Sequence, residues 1–274
     1  MQESKHGKKM NKATYQKTMR ALLVAIGIAA AACLVAFITL LIGGIKPGVF
    51  LDKDSAQSDD PSALESRLKT TPDYGDHYVN SMIFLCDRTL SPIGETTLLK
   101  GGNETLQVWS GESRDLSLDF SIDSATVIFP EDGASIAIRT ALERKKPDFL
   151  LITLGLNNGV SYCTEEKFKE YYGKLIDVVT EASPDTKVIL QSVFPVSKAA
   201  EKKLSGISND KIDEANVWIE ELALEKGVRY LHTASALKAK NGTLNEQYDS
   251  GDGVSLNEAG YAAVIEYIRT HGYY

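Results

Sequence analysis

The chain has 274 residues, a formal net charge of −7 at pH 7 and 43% hydrophobic residues, which suits one domain of ordinary size with appendages. The acidic balance argues against a nucleic-acid partner, because phosphate binding needs clustered Lys and Arg. The three cysteines are too few and too scattered for a disulfide scaffold or a zinc site, and the four histidines lack metal-ligand spacing. The chain also has no Gly-rich phosphate loop, so we expect no metal and no cofactor.

The first 44 residues have the pattern of a membrane anchor. Residues 1–20 are polar and basic, and residues 21–44 contain no charged side chain. An apolar run of this length predicts a helix that crosses the bilayer, and the basic flank predicts a cytoplasmic amino terminus. The alternative is a cleaved signal peptide, whose apolar region is normally about 7–15 residues long. We therefore predict a single-pass cell-membrane protein that contacts the lipid bilayer through residues 21–44.

The remaining chain is predicted to lie outside the cytoplasm. Residues 45–76 are rich in Asp, Ser, Pro and Lys and predict a spacer that holds a domain away from the membrane. The folded domain is then expected over residues 77–274.

Strands and helices alternate along this domain. Apolar runs predict strands at 81–85, 125–129, 148–154, 187–193 and 228–231. Helical spacing and capping residues predict helices at 134–145, 164–182, 210–226 and 257–270. The alternating segments 106–109 and 116–120 predict a short hairpin or an edge pair of strands. This order predicts an α/β fold, a three-layer α/β/α sandwich with a parallel sheet.

Three polar segments follow strands or precede the last helix, at 86–89, 155–159 and 252–261. Each alone is explained by an ordinary turn or a helix cap. In an open parallel sheet, ligands bind beyond the carboxyl ends of the strands. We therefore expect all three segments to meet at one edge of the sheet and to form the functional site.

The three segments read Phe84-Leu-Cys-Asp-Arg-Thr89, Gly155-Leu-Asn-Asn158 and Asp252-Gly-Val-Ser-Leu-Asn257. In order and spacing they resemble the sequence blocks of the SGNH, or GDSL-type, hydrolases, in a membrane-anchored bacterial form. The resemblance covers about residues 76 to 274. It implies a flavodoxin-like parallel sheet of about five strands. It also implies an ancestral ester hydrolysis or acyl transfer on small esters or O-acetylated carbohydrate.

The resemblance also assigns the catalytic positions, and two of them are changed. The nucleophile position falls on Arg88, the histidine position on Ser255 and the triad aspartate on Asp252. Arginine stays protonated and cannot attack, and serine cannot act as a base near neutral pH. The oxyanion and ligand-binding positions carried over in the same way are Asp87, Gly155, Asn157 and Asn158.

These replacements predict a catalytically degenerate esterase that keeps a polar ligand pocket, for example for a cell-envelope carbohydrate. One alternative is an active ester hydrolase, O-acetyl esterase or acyltransferase with a rearranged catalytic group, and another is a purely structural envelope protein with no pocket function. Such a group would pair Cys86 or Thr89 with His232, whereas otherwise His232 is expected to be a strand-end residue bonded to backbone. The sequence gives no indication of the oligomeric state.

Two contacts are predicted from this arrangement. Arg88 is expected to reach across the vacated histidine position and pair with Asp252, because arginine binds a carboxylate through two hydrogen bonds. A second hypothesis is a disulfide between Cys86 and Cys163 that joins the first two loops, because the predicted compartment is oxidising. The alternative is that both cysteines are small buried fillers.

Overall fold

The computed structural model describes residues 66–273. The predicted tail, membrane span and most of the predicted spacer lie outside these residues, and the predicted domain limits stay a prediction. The strands are β1 (Met82–Cys86), β2 (Val108–Trp109), β3 (Thr126–Phe129), β4 (Ala134–Ala137), β5 (Phe149–Thr153), β6 (Lys187–Gln191) and β7 (Arg229–Leu231). The helices are α1 (Gly75–Asn80), α2 (Ile138–Lys145), α3 (Glu165–Ala182), α4 (Lys198–Lys203), α5 (Asn209–Glu225), α6 (Ala234–Leu237) and α7 (Glu258–Arg269).

Five parallel strands form the central sheet, in the order β2, β1, β5, β6, β7. All five residues of β1 are buried, as expected for a strand covered on both faces. Met82 pairs with Phe149 and Cys86 pairs with Thr153, so β1 and β5 end at the same level. The segments that leave these two strands therefore begin side by side at the carboxyl edge of the sheet.

Helices cover both faces of the sheet, which confirms the predicted α/β fold with a parallel sheet flanked by helices. One face packs against α2, α3 and α5, whose buried side chains include Leu142, Phe168 and Ile219. The other face packs against α1 and α7, with Tyr78 and Val264 among the buried residues.

Several helix starts follow the sequence prediction closely. Helix α3 begins after Thr164, whose hydroxyl accepts a hydrogen bond from Lys167 N, and Ser208 caps α5 in the same way through Lys211 N. The last helix begins after Asn257, whose Oδ1 accepts from Gly260 N at 3.0 Å.

The predicted hairpin is wrong. Val108 and Trp109 pair in parallel with β1 as an edge strand, and residues 116–120 form no strand. The observed hairpin joins β3 to β4, so residues 134–137 are extended and the predicted helix starts only at Ile138. Gly133 adopts a φ of 72° and its amide donates to Phe129 O at 2.8 Å, which closes the turn that the helical pattern concealed.

The segment before α1 is hydrogen-bonded to the domain. Leu68 N donates to Tyr230 O at 2.8 Å, and Thr71 N donates to Thr270 O at 2.7 Å. The Arg67 guanidinium donates to both carboxylate oxygens of Glu220 on α5, with Nε at 2.7 Å from Oε1. Within residues 66–273, no helix is long and apolar enough to span a bilayer.

The Arg67 ion pair should contribute measurably to stability. The Glu220 side chain is only 5% exposed, so Arg67→Met would leave a buried carboxylate without its partner. We expect the free energy of unfolding of the full chain to fall by about 3 kcal/mol in denaturant titrations. Arg139→Met is the matched control, because Arg139 pairs with Glu181, whose side chain is 64% exposed. The free energy of unfolding of Arg139→Met should fall by less than about 1 kcal/mol. Equal losses in the two variants would contradict the account.

Candidate active site

A cleft of about 440 Å³ opens at the carboxyl edge of the sheet. It brings together residues from all three predicted segments. Its polar lining is Arg88, Asn157, Asp252 and Ser255, and its apolar lining is Leu156, Leu204, Ile207 and Val254. The positions that the resemblance assigned to nucleophile, oxyanion donor, triad aspartate and triad histidine therefore line one cavity.

Arg88 lies on a tight turn directly after β1. Asp87 N donates to Thr153 O at 3.0 Å, and the Asp87 carbonyl accepts from Leu90 N and Ser91 N. This turn leaves the Arg88 side chain exposed, while Asp87 and Thr89 on either side of it are buried.

Asp87 supports the turn from below and does not line the cleft. Its Oδ1 accepts from Thr89 N at 2.9 Å and from Thr89 Oγ1 at 2.6 Å. Burial raises the pKa of Asp87 to about 6; the Thr89 hydrogen bonds oppose that rise, and the nearby Asp115 charge adds to it. Asp87 thus acts as a buried structural carboxyl that is partly protonated near neutral pH.

The second segment is an irregular turn with unusual backbone angles. Gly155 has a φ of 126°, and a Cβ there would lie 3.0 Å from Phe168 Cζ, so only glycine fits. Asn158 has a φ of 63°, in the left-handed region that asparagine tolerates. The Asn158 carbonyl accepts a weak hydrogen bond from Cys163 Sγ at 3.6 Å. Asn158 is therefore part of the turn, while Asn157 contributes to the cleft.

Asp115 is a site residue that sequence reasoning missed. Its Oδ2 accepts a hydrogen bond from Asn157 Nδ2 at 2.8 Å, while Ser117 Oγ lies 3.4 Å from the same nitrogen. Its other carboxylate oxygen is buried without a hydrogen-bond partner. The loop needs Gly111, because a Cβ there would lie 2.2 Å from the Asp115 carbonyl oxygen. The amide at the oxyanion position is thus bound to a carboxylate of this loop.

Asp252 is bonded within its own loop. Its Oδ1 accepts from Val254 N and Ser255 N, both at 2.7 Å, and its Oδ2 accepts from Ser255 Oγ at 2.7 Å. Partial burial acts to raise the pKa of Asp252, but these hydrogen bonds outweigh it, and the pKa lies below the ordinary value. Serine at the histidine position therefore holds the aspartate directly.

The predicted pairing of Arg88 with Asp252 is wrong. Among residues 66–273, Arg88 makes no ion pair. The physical reason is that donors of the 252–255 turn, two of them backbone amides, already satisfy both carboxylate oxygens. These donors are held next to the carboxylate by the turn itself. Arg88 would therefore gain little free energy by extending its long side chain to Asp252.

The predicted disulfide is also wrong, since Cys86 and Cys163 are both free thiols. Cys86 belongs to the core between the sheet and α1 and α7, whereas Cys163 packs against the core on the opposite face. Burial, followed by the neighbouring Asp87 charge, raises the pKa of the Cys86 thiol. Cys86 is therefore a buried apolar filler.

His232 does not reach the cleft. It follows β7, which is separated from β1 by two strands, or roughly 14 Å at the usual strand spacing. Its Nδ1 lies 2.9 Å from the Tyr230 hydroxyl, so its partner is a tyrosine and not the expected backbone group. Burial lowers the pKa of His232 to about 3. The suggested pairs of His232 with Cys86 or Thr89 are not formed.

Metal-ligating residues are not grouped in this part of the chain. No set of three or more His, Cys, Asp or Glu side chains between residues 66 and 273 is arranged to hold a metal ion.

Comparison with known proteins identifies the family. Residues 102–263 match the model of the GDSL-like lipase/acylhydrolase family, which is more than half of the chain. This protein belongs to that family. The matched region contains the second and third sequence blocks and begins after the block that carries Arg88. No curated protein matches the chain.

Several solved structures are similar to this chain at low identity. A Streptococcus pneumonia protein described as a platelet activating factor is 18% identical, with a TM-score of 0.48, over 68% of this chain and 81% of its own. A GDSL-like lipase from Bacteroides thetaiotaomicron is 16% identical, with a TM-score of 0.43, over 74% and 85%. A catalytic mutant of an acetylxylan esterase from Geobacillus stearothermophilus is 16% identical, with a TM-score of 0.39, over 70% and 94%. The family assignment rests on the family model.

The buried Asp87 carboxyl should give the protein a measurable pH dependence. The folded chain holds this proton up to a pH of about 6, whereas the ordinary pKa is 3.8. Its stabilising contribution is therefore complete below about pH 4 and is lost as the pH rises through 6. The side chain in Asp87→Asn cannot ionise, so this variant should not lose that stability as the pH rises. We expect the free energy of unfolding of Asp87→Asn, relative to the natural chain, to rise by about 2–3 kcal/mol between pH 4 and pH 7.

Asp119→Asn is the matched control for this measurement. Asp119 Oδ1 accepts from Ser121 N at 2.9 Å and Ser121 Oγ at 2.6 Å, which is the same turn in an exposed position. Denaturant titrations of both variants between pH 4 and pH 7 separate the effect of burying the carboxyl group from the effect of altering the turn. The same pH dependence in both variants would show that burial of Asp87 is not the cause.

Proposed function

We propose that this protein is a catalytically degenerate member of the GDSL-like family that keeps its cleft for ligand binding. The observation that carries the proposal is the cleft lining, where arginine occupies the nucleophile's position and serine occupies the base's position. Acyl transfer by this route needs a hydroxyl whose proton is taken by an imidazole, itself held by a carboxylate. Among the lining residues, only Asp252 keeps its usual role: the one hydroxyl, that of Ser255, is at the base's position, and no imidazole is present.

The surroundings of Asn157 support the same proposal. When triad members are lost, the remaining rate, on the order of 10³–10⁴ over water, comes from the oxyanion hole and binding. Here the Asn157 amide donates to Asp115 Oδ2 at 2.8 Å and to Ser117 Oγ at 3.4 Å, so its two N–H groups already have acceptors other than an oxyanion. The negative charge of Asp115 would also oppose the charge that develops in the transition state.

Other nucleophiles in these loops have poor access or no base. The Thr89 hydroxyl donates a hydrogen bond to Asp87. Thr89 is only 2% exposed and Cys86 is 0% exposed. Ser255 is bonded to Asp252, whose depressed pKa makes it a weak base. These contacts favour a binding protein over the alternative of an esterase with a rearranged catalytic group.

A carbohydrate ligand is supported by two exposed aromatic side chains. Tyr162 is 80% exposed and Phe120 is 74% exposed. They follow Asn157 and Ser117 within a few residues along the chain, and those two residues are joined by the contact described above. Exposed aromatic rings are suited to pack on the apolar faces of sugar rings. We therefore propose a cell-envelope glycan, acetylated or otherwise, as the ligand.

The sequence supports a membrane-anchored location for this function. The uncharged run 21–44 follows a basic tail, which favours a type II single-pass protein with the binding domain outside the cytoplasm. Release of the full chain from membranes by detergent, and not by alkaline carbonate, is the expected result. Release by carbonate alone would contradict the anchor.

Reintroducing the two missing groups tests the proposal. We expect the natural chain to give no hydrolysis of p-nitrophenyl acetate above the uncatalysed rate, because no activated nucleophile lines the cleft. Arg88→Ser combined with Ser255→His should give at least about tenfold more hydrolysis than the natural chain, since Asp252 is already in the cleft. Initial rates on purified full-length protein provide the measurement.

Arg88→Ser alone is the matched control, because it supplies the hydroxyl without a base and should stay at the background rate. Turnover by the natural chain that is lost on substitution of Ser255 or Asp252 would refute the proposal. Failure of the double variant to gain activity would show that the cleft has not kept the family's geometry.

A further inference from the structure

Arg88 differs from every other arginine between residues 66 and 273. Within this range the Arg88 side chain has no hydrogen bond, ion pair or aromatic ring as a partner, although it lines the cleft. The other arginines in this range all have partners, namely Arg67, Arg114, Arg139, Arg144, Arg229 and Arg269.

The acidic groups nearest to the cleft do not serve as its partner. Asp252 is saturated by its own turn, and Asp115 Oδ2 is bonded to Asn157. Asp87 is buried beneath the turn. The guanidinium is therefore left facing a cavity with unused hydrogen-bond donors, which can be satisfied by water or by a ligand.

The chemistry of the cavity restricts which ligand fits. Arginine presents a planar fork of N–H donors that matches an oxyanion and binds a carboxylate through two parallel hydrogen bonds. The four aliphatic side chains of the lining suit a carbon skeleton next to that anion. The neighbouring carboxylates of Asp252 and Asp115 favour a singly charged ligand over a doubly charged phosphate.

We propose that Arg88 makes this cleft a recognition site for a carboxylate carried on a carbon skeleton, either an acidic sugar or a free short-chain acid. The inference rests on the proposed loss of catalysis, because Arg88, which occupies the nucleophile's position, binds the ligand and does not attack it. In this site the Arg88 guanidinium holds the carboxylate, and the aliphatic wall packs against the remaining carbons. A neutral ester or amide of the same skeleton lacks the charge that arginine recognises.

Matched charged and neutral probes test this inference by titration calorimetry on the full-length protein. Galacturonate is compared with its methyl ester, butanoate with butanamide, and inorganic phosphate is added as a separate anion. We expect at least one carboxylate to bind at least about tenfold more tightly than its neutral counterpart. The pair with the larger difference identifies the source of the carboxylate as sugar or short-chain acid.

Two substitutions complete the test. Arg88→Gln should remove the preference for the charged probe, and Arg88→Lys should retain only part of it, because lysine keeps the charge without the fork. Arg139→Gln is the matched control, since Arg139 pairs with Glu181 in an exposed position and should leave the preference unchanged.

The inference is overturned if none of the probes binds, if phosphate binds more tightly than both carboxylates, or if Arg88→Gln retains the preference. Failure of the proposed function gives a different result. Release of methanol from the methyl ester by the natural chain would show catalysis, whatever the preference among the intact probes.

Discussion

The parallel pairing of β1 with β5 is the constraint on which the cleft depends. Five consecutive residue pairs, from Met82 with Phe149 to Cys86 with Thr153, bring both strands to an end at one level. The strands are held in this register by apolar side chains on both faces, including Phe84 and Leu85, which are fully buried. A shift by one residue would exchange the two faces of the strand and would disrupt the packing on both of them. The segments that carry Arg88 and Asn157 are therefore fixed side by side.

Under the proposed function, the charges of the cleft favour binding over acyl transfer. The carboxylate that would orient a histidine is held by Ser255, and the amide that would stabilise an oxyanion is held by Asp115. Each of these contacts satisfies a polar group that the altered residues would otherwise leave without a partner. Among the described residues the guanidinium of Arg88 has no partner, and in our proposal it meets the ligand. The replaced residues thus form a coherent set.

Much of the fold could be predicted from the sequence, because continuous apolar runs and capping residues are local signals. Strands β1, β5 and β6 and helices α3, α5 and α7 lie within a few residues of their predicted positions. The extended segment 134–137 was missed because its apolar pattern fits a helix. The turn before it forms at Gly133, which adopts a positive φ. The positions of Arg88, Asn157, Asp252 and Ser255 at one cleft could be anticipated from spacing and family resemblance.

The contacts of these residues could not be predicted in the same way. Asp115 bonds to a residue 42 positions away and lies just before an alternating apolar segment that was read as a strand. The Arg88–Asp252 prediction counted charges and overlooked the backbone amides of the 252–255 turn. The Cys86–Cys163 prediction placed both residues at one edge and did not identify the face of the sheet on which each one packs.

The central claim is that the cleft contains no activated nucleophile. A fluorophosphonate probe reacts covalently with such a nucleophile, and the intact mass of the full-length protein reports the adduct directly. The account predicts no mass increase for the natural chain under conditions in which Arg88→Ser with Ser255→His is labelled. A stoichiometric adduct on the natural chain, mapped to a Ser, Thr or Cys of the three cleft segments, would contradict it.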